Sequence, residues 1–271
     1  MKNILKRSIK MLIAFVSLSL ILVSCEYQEV ANADYPDQIL YMPTAVSGNY
    51  IIDNVPKRFD FLPTPGQTNQ FTVEGTKFIV PLGVYRSGID RNGKVTASIA
   101  IENDTIVALL AANKLPAASV IIPSNNISFP SSVDVASGSE VNTFNLEIDL
   151  NYLRSLPDGI LTLGISIASN DAVVNPLLNT TILVIYTKIF KPTASFTSKA
   201  DATDAKKIVF TNTSTYGMNY SWNFGDGTAV VTDKSPTHVF TAAGTYDVTL
   251  TTVGVTGNND KATFTTSVVV N

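Results

Sequence analysis

Between Gln38 and Tyr186 the chain alternates apolar and polar residues with a period of two. Val95, Ala97, Ile99 and Ile101 alternate with small or polar residues. Phe144, Leu146, Ile148 and Leu150 alternate with Asn145, Glu147 and Asp149. Leu161, Leu163, Ile165 and Ile167 alternate with Thr162, Gly164 and Ser166. Successive side chains of a strand point to opposite faces, so each run predicts a strand with one buried and one wet face. Phe71–Val73 and Phe78–Val80 predict shorter strands, and Thr181–Tyr186 a more continuously buried one. Turn clusters separate these runs at Pro63-Thr64-Pro65-Gly66, Asp90-Arg91-Asn92-Gly93 and Leu156-Pro157-Asp158-Gly159. Asp104–Asn113 breaks the pattern. Ile106, Leu109 and Leu110 stand at helical spacing, and Asn103 or Asp104 is placed to cap the start. This predicts a short helix joining two strands, with a further helical turn at Asn151–Leu156. Many strands with polar turns predict a β-sandwich.

The length, 271 residues, suits roughly two domains at ~150 residues each. Charged residues make up 15% of the chain, below the roughly 25% usual for globular proteins. One Cys and one His exclude an internal disulfide, a four-cysteine zinc site and a CxxC redox centre. The net charge is −3 with no basic patch, which argues against nucleic acid as a partner.

Residues 1–24 read as an export signal rather than as part of the fold. Lys2, Lys6, Arg7 and Lys10 form a basic start, and Met11–Val23 is an almost unbroken apolar run of 13 residues. That is short for a bilayer span, which takes about 20, and fits a signal-peptide core. The run ends in Leu22-Val23-Ser24-Cys25, which resembles a bacterial lipobox. The resemblance implies that Cys25 receives the lipid and becomes the mature N-terminus. A thiolate is the natural nucleophile for that alkylation. Loss of residues 1–24 removes four positive charges and no acid, taking the net charge from −3 to −7. The acyl chains, rather than basic residues, would then hold the protein at a membrane. Glu26 and Glu29 follow the Cys at once, which resembles the acidic surface-export signal of Bacteroidetes lipoproteins. Residues 25–37 read as a polar, lipidated tether.

Residues 189–192 read as a linker, and residues 193–271 as a second all-β unit. The carrying residues there are Tyr220-Ser221-Trp222-Asn223-Phe224-Gly225-Asp226-Gly227-Thr228, then Ser235-Pro236-Thr237-His238-Val239-Phe240, then Gly244-Thr245-Tyr246-Asp247-Val248-Thr249-Leu250. In order and spacing these resemble a PKD domain, an Ig-like module. Phe240 stands where Tyr is usual, and Ala243 where Pro is usual. Gly225 and Gly227 suit positive φ in a turn, with Asp226 accepting from local amides. Tyr220, Trp222 and Phe224 share one strand face. Residues 38–188 resemble the domain of unknown function that follows the lipobox in Bacteroidetes surface lipoproteins. The features are the opening Asp37-Gln38-Ile39-Leu40-Tyr41-Met42-Pro43, the mid-domain helix and a later Pro-Asp-Gly before a strand. The resemblance implies a setting among glycan-capture systems.

The expected architecture is therefore all-β: two tandem Ig-like β-sandwiches, the first with a short inserted helix, after a lipoprotein signal peptide. His238 reads as a packing residue behind the Gly-Asp-Gly turn rather than a base. With Cys25 committed to lipid, no Ser-His-Asp or Cys-His site is expected. Gly257-Asn258-Asn259-Asp260 reads as a hairpin turn without the spacing of a calcium loop. Trp222 reads as core. Tyr50, Tyr85, Tyr152 and Tyr216, in or near turns, are the freer aromatics. Glu147 and Asp149 fall on a wet strand face. The expected function is non-enzymatic: a lipid-anchored protein of the outer membrane, facing outward, that binds extracellular glycan or assists a glycan-capture complex. The alternative is adhesion or scaffolding through protein contacts. No cofactor, metal site or catalytic residue is expected, and Cys25 is the membrane attachment point.

Overall fold

The computed structural model describes residues 38–56, 66–67, 69–156 and 158–271. The export signal, Cys25, the tether, Pro63-Thr64-Pro65 and Pro157 lie outside the described residues. The first sandwich runs through β1 (Ile39–Tyr41), β2 (Asn49–Ile52), β3 (Thr72–Glu74), β4 (Lys77–Arg86) and β5 (Val95–Ile101). Helix α1 (Asn103–Ala111) leads to β6 (Ser119–Ile121), β7 (Ile127–Ser128), β8 (Ser132–Val135) and β9 (Val141–Asp149). Helix α2 (Leu150–Ser155), β10 (Ile160–Ala168), β11 (Val173–Val174) and β12 (Thr180–Tyr186) complete it. One sheet has the order β11-β1-β4-β9-β7, with β3 also on β4. The other has the order β2-β12-β10-β5-β8, with β6 also on β10.

The period-two runs become the facing walls of this sandwich. Phe78, Val80 and Leu82 of β4 stand opposite Ile148, Leu146 and Phe144 of β9. Their side chains meet Leu161, Leu163 and Ile165 of β10 in one buried cluster. Removing each such side chain from water contributes roughly 1.5–3 kcal/mol. The continuous run in β12 has its own cause. Leu183 and Ile185 face the main core, while Ile182 and Val184 face a second cluster with Ile106 of α1 and Leu115. Gly164 makes room for the entry to that helix, because a Cβ there would fall onto the Glu102 carbonyl oxygen. The helix starts one residue earlier than the spacing predicts. Its cap is Glu102, whose carboxylate accepts from the Thr105 N–H at 3.2 Å, so neither Asn103 nor Asp104 caps it. Pro81 falls on β4 between the stretch paired with β3 and the stretch paired with β1, where the ladder requires no proline donor.

Arg86, at the end of β4, is fully buried. Its Nε donates to Gln38 Oε1 at 2.7 Å, and its two Nη groups donate to the Asn92 and Gly93 carbonyls at 2.7 and 2.8 Å. It thereby ties the start of the domain to the predicted turn at Asp90–Gly93, where Gly93 has φ +79°.

The second sandwich comprises β13 (Phe196–Ala200), β14 (Lys207–Asn212), β15 (Asn219–Asn223), β16 (Thr237–Val239), β17 (Gly244–Gly254) and β18 (Gly257–Val270). Its sheets have the orders β13-β14-β16 and β15-β17-β18. Trp222, Phe210, Phe224 and Phe240 are buried between them with Val248 and Leu250. Trp222 is fully enclosed, and its indole N–H donates to the Asp233 carbonyl at 2.9 Å.

The segment read as a linker is built into the first sandwich. Thr187–Phe190 is a 3-10 turn, and Ile189 and Phe190 are buried in the first core. The β17–β18 hairpin also reaches back. It turns at Val255-Thr256, not at Gly257–Asp260, and Val255 packs on the first core. The reason is visible at Asp260: its buried carboxylate accepts from Arg154 of α2 at 2.7 Å and from Thr256, so the residue sits inside the strand facing α2.

Candidate functional site

The wet face of β9 presents Thr143, Asn145, Glu147 and Asp149 in a row, as alternation requires. The short strand β7 pairs only with its far end, Ile127 with Ile148 and Ser128 with Glu147. Beyond Ser128 the chain crosses through Phe129 and Pro130 to β8, which belongs to the opposite sheet. The space it leaves is a cleft of about 600 Å³ lined by Phe129, Ser132, Asp134, Asn142 and Asn145. On the other side of β7 lies a cleft of about 280 Å³ lined by Lys77, Asn125, Asn126, Asp149 and Asn151. Ser128 and Glu147 line both, so the two form one trough along β9.

The carboxylates of this trough are each engaged. Glu147 accepts from the Lys77 ammonium at 2.8 Å. Asp134 accepts from Lys94 at 3.0 Å and from the Thr96 hydroxyl at 2.8 Å, and these bonds hold its carboxyl below the usual range. Asp149 accepts from the Asn151 N–H at 2.9 Å as the cap of α2. Asn142 is fixed on both sides: its Nδ2 donates to the Asp134 carbonyl and its Oδ1 accepts from the Thr143 N–H, each at 2.8 Å. Phe129 is half-buried against the first core and supplies an apolar wall. Glu147 and Asp149 thus lie where alternation places them. Asn125 and Asn126 come from a 3-10 turn, Ser124–Asn126, and Ser128 from a two-residue strand, both too short to show a period. Their signal in the sequence is the polar run Ser124-Asn125-Asn126 before Ile127.

The second polar constellation is the turn at Gly225-Asp226-Gly227. Gly225 and Gly227 have φ of +75° and +83°, and a Cβ on Gly225 would lie 2.7 Å from the Asp247 carbonyl oxygen. Asp226 accepts from the Thr228 hydroxyl at 2.6 Å and from the Thr228 N–H at 3.1 Å. Its other oxygen meets His238 Nε2 at 2.6 Å. The His238 ring stacks on Phe224 with centroids 3.9 Å apart and lies edge-on to Phe240. Burial works to raise the Asp226 pKa, but the bonds from Thr228 and His238 outweigh it and pull it down to about 2. His238 packs behind the turn on Phe224 and meets Asp226 through Nε2.

The tyrosines divide. Tyr50 is core, with its hydroxyl pushed up to about 12 by burial, so it is not among the free aromatics. Tyr85 is half-buried, lies 5.0 Å from the Tyr41 ring, and donates to Glu140. Tyr152 and Tyr216 are half-buried against the first core. Among the described residues, no group of three or more His, Cys, Asp or Glu side chains is placed to hold a metal ion.

The family model of the PKD domain matches residues 190–270. The second sandwich is a PKD domain. A second family model, described as an N-terminal domain, matches residues 47–174. No curated protein matches the chain. Among solved structures, it is similar to the PKD1 domain of the Vibrio cholerae metalloprotease PrtV. Identity is 33% over 30% of this chain and 98% of that one, with a TM-score of 0.27. It is similar to a candidate carbohydrate binding protein from Bacteroides ovatus, at 10% identity over 76% of this chain and 61% of that one, TM-score 0.38. It is also similar to a Bacteroides ovatus multidomain protein that includes DUF1735, at 14% identity over 66% and 54% of the two chains, TM-score 0.34. The PKD match begins at residue 190, inside the 3-10 turn that closes the first core. Among PKD residues, Phe240 in place of Tyr is fully buried, where a phenol would need a partner.

Proposed function

We propose that this chain is a lipid-anchored, non-enzymatic protein of the outer membrane that faces outward and binds extracellular glycan, alone or within a glycan-capture complex. In this reading residues 38–188 carry the ligand, residues 193–271 space or present it, and Cys25 holds the lipid. The observation that carries it is the trough along β9, an open polar channel with carboxamides, hydroxyls and one aromatic wall. Such side chains match a ligand whose groups both donate and accept hydrogen bonds. The lipobox and the resemblance of the first domain to that of Bacteroidetes surface lipoproteins support the same address.

The state of the carboxylates supports binding without turnover. A glycosidase acid needs its pKa raised. In the trough Glu147 is paired with Lys77, and Asp134 is held down by Lys94 and Thr96.

A second reading, adhesion or scaffolding, is favoured by β18. It is an edge strand whose residues 262–270 contain no charge and no proline. Such an edge is a template for another strand. A glycan array on the mature protein separates the two: retention of glycans supports the first, and retention of none removes it. In parallel, Cys25→Ser is expected to release the protein from the membrane fraction. Continued membrane association of that variant, with no diacylglycerol on the wild type by mass spectrometry, removes the anchor.

A further inference from the structure

We infer that the trough along β9 selects an uncharged, hydroxyl-rich glycan strand and rejects uronates and sulfated chains. The inference rests on the glycan-binding reading and names the class of glycan. Along the trough the ionic side chains are Asp134, Glu147 and Asp149 against Lys77 alone. Lys77 is already committed, 2.8 Å from Glu147, and Lys94 near the rim is committed to Asp134 at 3.0 Å. An anionic sugar would meet no unspent cation, and it would approach three carboxyl side chains on a mature chain of net charge −7. Bidentate Arg pairs, the usual means of holding carboxylate or sulfate, are absent from the trough lining.

What remains for recognition is neutral. The side chains of Asn125, Asn126 and Asn145 and the hydroxyls of Ser128 and Ser132 make no hydrogen bond to another described residue. Each carboxamide offers two N–H donors and an acceptor, and each hydroxyl offers one donor and two lone pairs. Neighbouring hydroxyls of a sugar offer the same mixed set, so pairing needs no proton and no counter-ion. Asn142, held at both ends of its carboxamide, keeps the wall rigid, which lowers the ordering cost of binding. Lys77 and Glu147, already paired, need not be desolvated separately when a neutral chain lies over them.

The test is isothermal titration of the full chain with laminarin, mannan and xylan as neutral probes and with polygalacturonate and chondroitin sulfate as anionic ones, at low and high salt. At least one neutral glycan is expected to bind with an affinity that salt leaves unchanged. Asn145→Ala, at an exposed position, is expected to weaken it about 10-fold through one lost hydrogen-bonding group. Glu147→Gln frees Lys77 and is expected to create measurable binding of polygalacturonate that fades with salt. Tighter binding of polygalacturonate or chondroitin sulfate by the wild type overturns the selectivity and leaves glycan binding standing. Neutral binding that survives both Asn145→Ala and Asn126→Ala, with thermal unfolding unchanged, overturns the trough as the site. Binding of none of the five probes overturns the glycan reading itself, and this inference with it.

Discussion

The two sandwiches bury their cores by different chemistry. The first spreads aliphatic side chains over two six-stranded sheets and covers part of one outer face with α1. The PKD domain has two three-stranded sheets and fills the space between them with rings. Phe210 lies 5.5 Å from Trp222 and 5.3 Å from Phe224, and Phe224 stacks on His238. A small unit buries a smaller share of its surface, so each buried side chain must remove more area from water. Polar groups in the two cores follow the same division. The PKD domain uses a compact Asp226–His238 pair to fix one turn, whereas the first sandwich uses Arg86 to join the Asn92 and Gly93 carbonyls to the Gln38 side chain, 48 residues before it. The larger domain therefore has surface to spare for a trough, and the smaller one commits its polar residues to its own turn.

The largest expected effect follows from this concentration in rings. Trp222→Ala is expected to destabilise the PKD domain by about 3–5 kcal/mol, the cost of truncating a buried aromatic side chain. Denaturant unfolding followed by far-ultraviolet circular dichroism checks it. A fragment of residues 193–271 is expected to unfold cooperatively before the substitution and at much lower denaturant after it. A gradual loss of signal in the unsubstituted fragment would show that the contacts of Val255 and Asp260 with the first sandwich, which the fragment lacks, are needed for the PKD fold.

In the first sandwich buried rings such as Phe71 and Phe78 are outnumbered by aliphatic side chains, and a polar residue is the sharper probe. Arg86→Ala strips the Asn92 and Gly93 carbonyls and the Gln38 side chain of their donor inside the protein. The expected cost is about 2–4 kcal/mol, from desolvated groups left without partners. The comparison predicts that only the first domain's transition shifts in the full chain. Equal loss in both transitions would mean that the Arg154–Asp260 contact makes them one unfolding unit.

The same contrast governs what the sequence reveals. In the PKD domain the turn glycines, Asp226 and His238 lie 13 residues apart or less, and their roles follow from local spacing. Alternation likewise places the inward faces of β5, β9, β10 and β17. The trough is assembled from β4, β7, β8 and β9, which are brought together by sheet order rather than by any short spacing. Glu147 and Asp149 are readable as wet-face residues, yet nothing near them in the chain points to Asn126 or Asp134. Arg86 escapes notice because its partners are backbone carbonyls, which carry no sequence signature, and Gln38, a distant neutral side chain. Glu102 as helix cap and Asp260 inside β18 fail for the same reason: each position is set by a partner from a distant element, Gly164 in one case and Arg154 in the other.

The smallest expected effect is in the pH dependence of the PKD domain. In the folded protein the bonds from Thr228 and His238 hold the Asp226 carboxyl down to about 2, below the roughly 3.9 of an unfolded aspartate. Its folded pKa is depressed, so folding favours the ionised form. The stabilisation is complete above the unfolded pKa, at about pH 4 and higher, and is lost as pH falls through about 2. Asp201, also in this domain, is shifted down by the Thr203 hydroxyl and N–H and by Lys207, so acid weakens the wild type through more than one group. Asp226→Asn isolates the contribution, since an amide holds no titrating proton in this range. The difference in unfolding midpoint between wild type and variant is expected to be largest near neutrality and to shrink below about pH 4. A difference that stays constant down to about pH 2 would show that Asp226 acts through shape and hydrogen bonding alone, leaving the turn without a charge-dependent element.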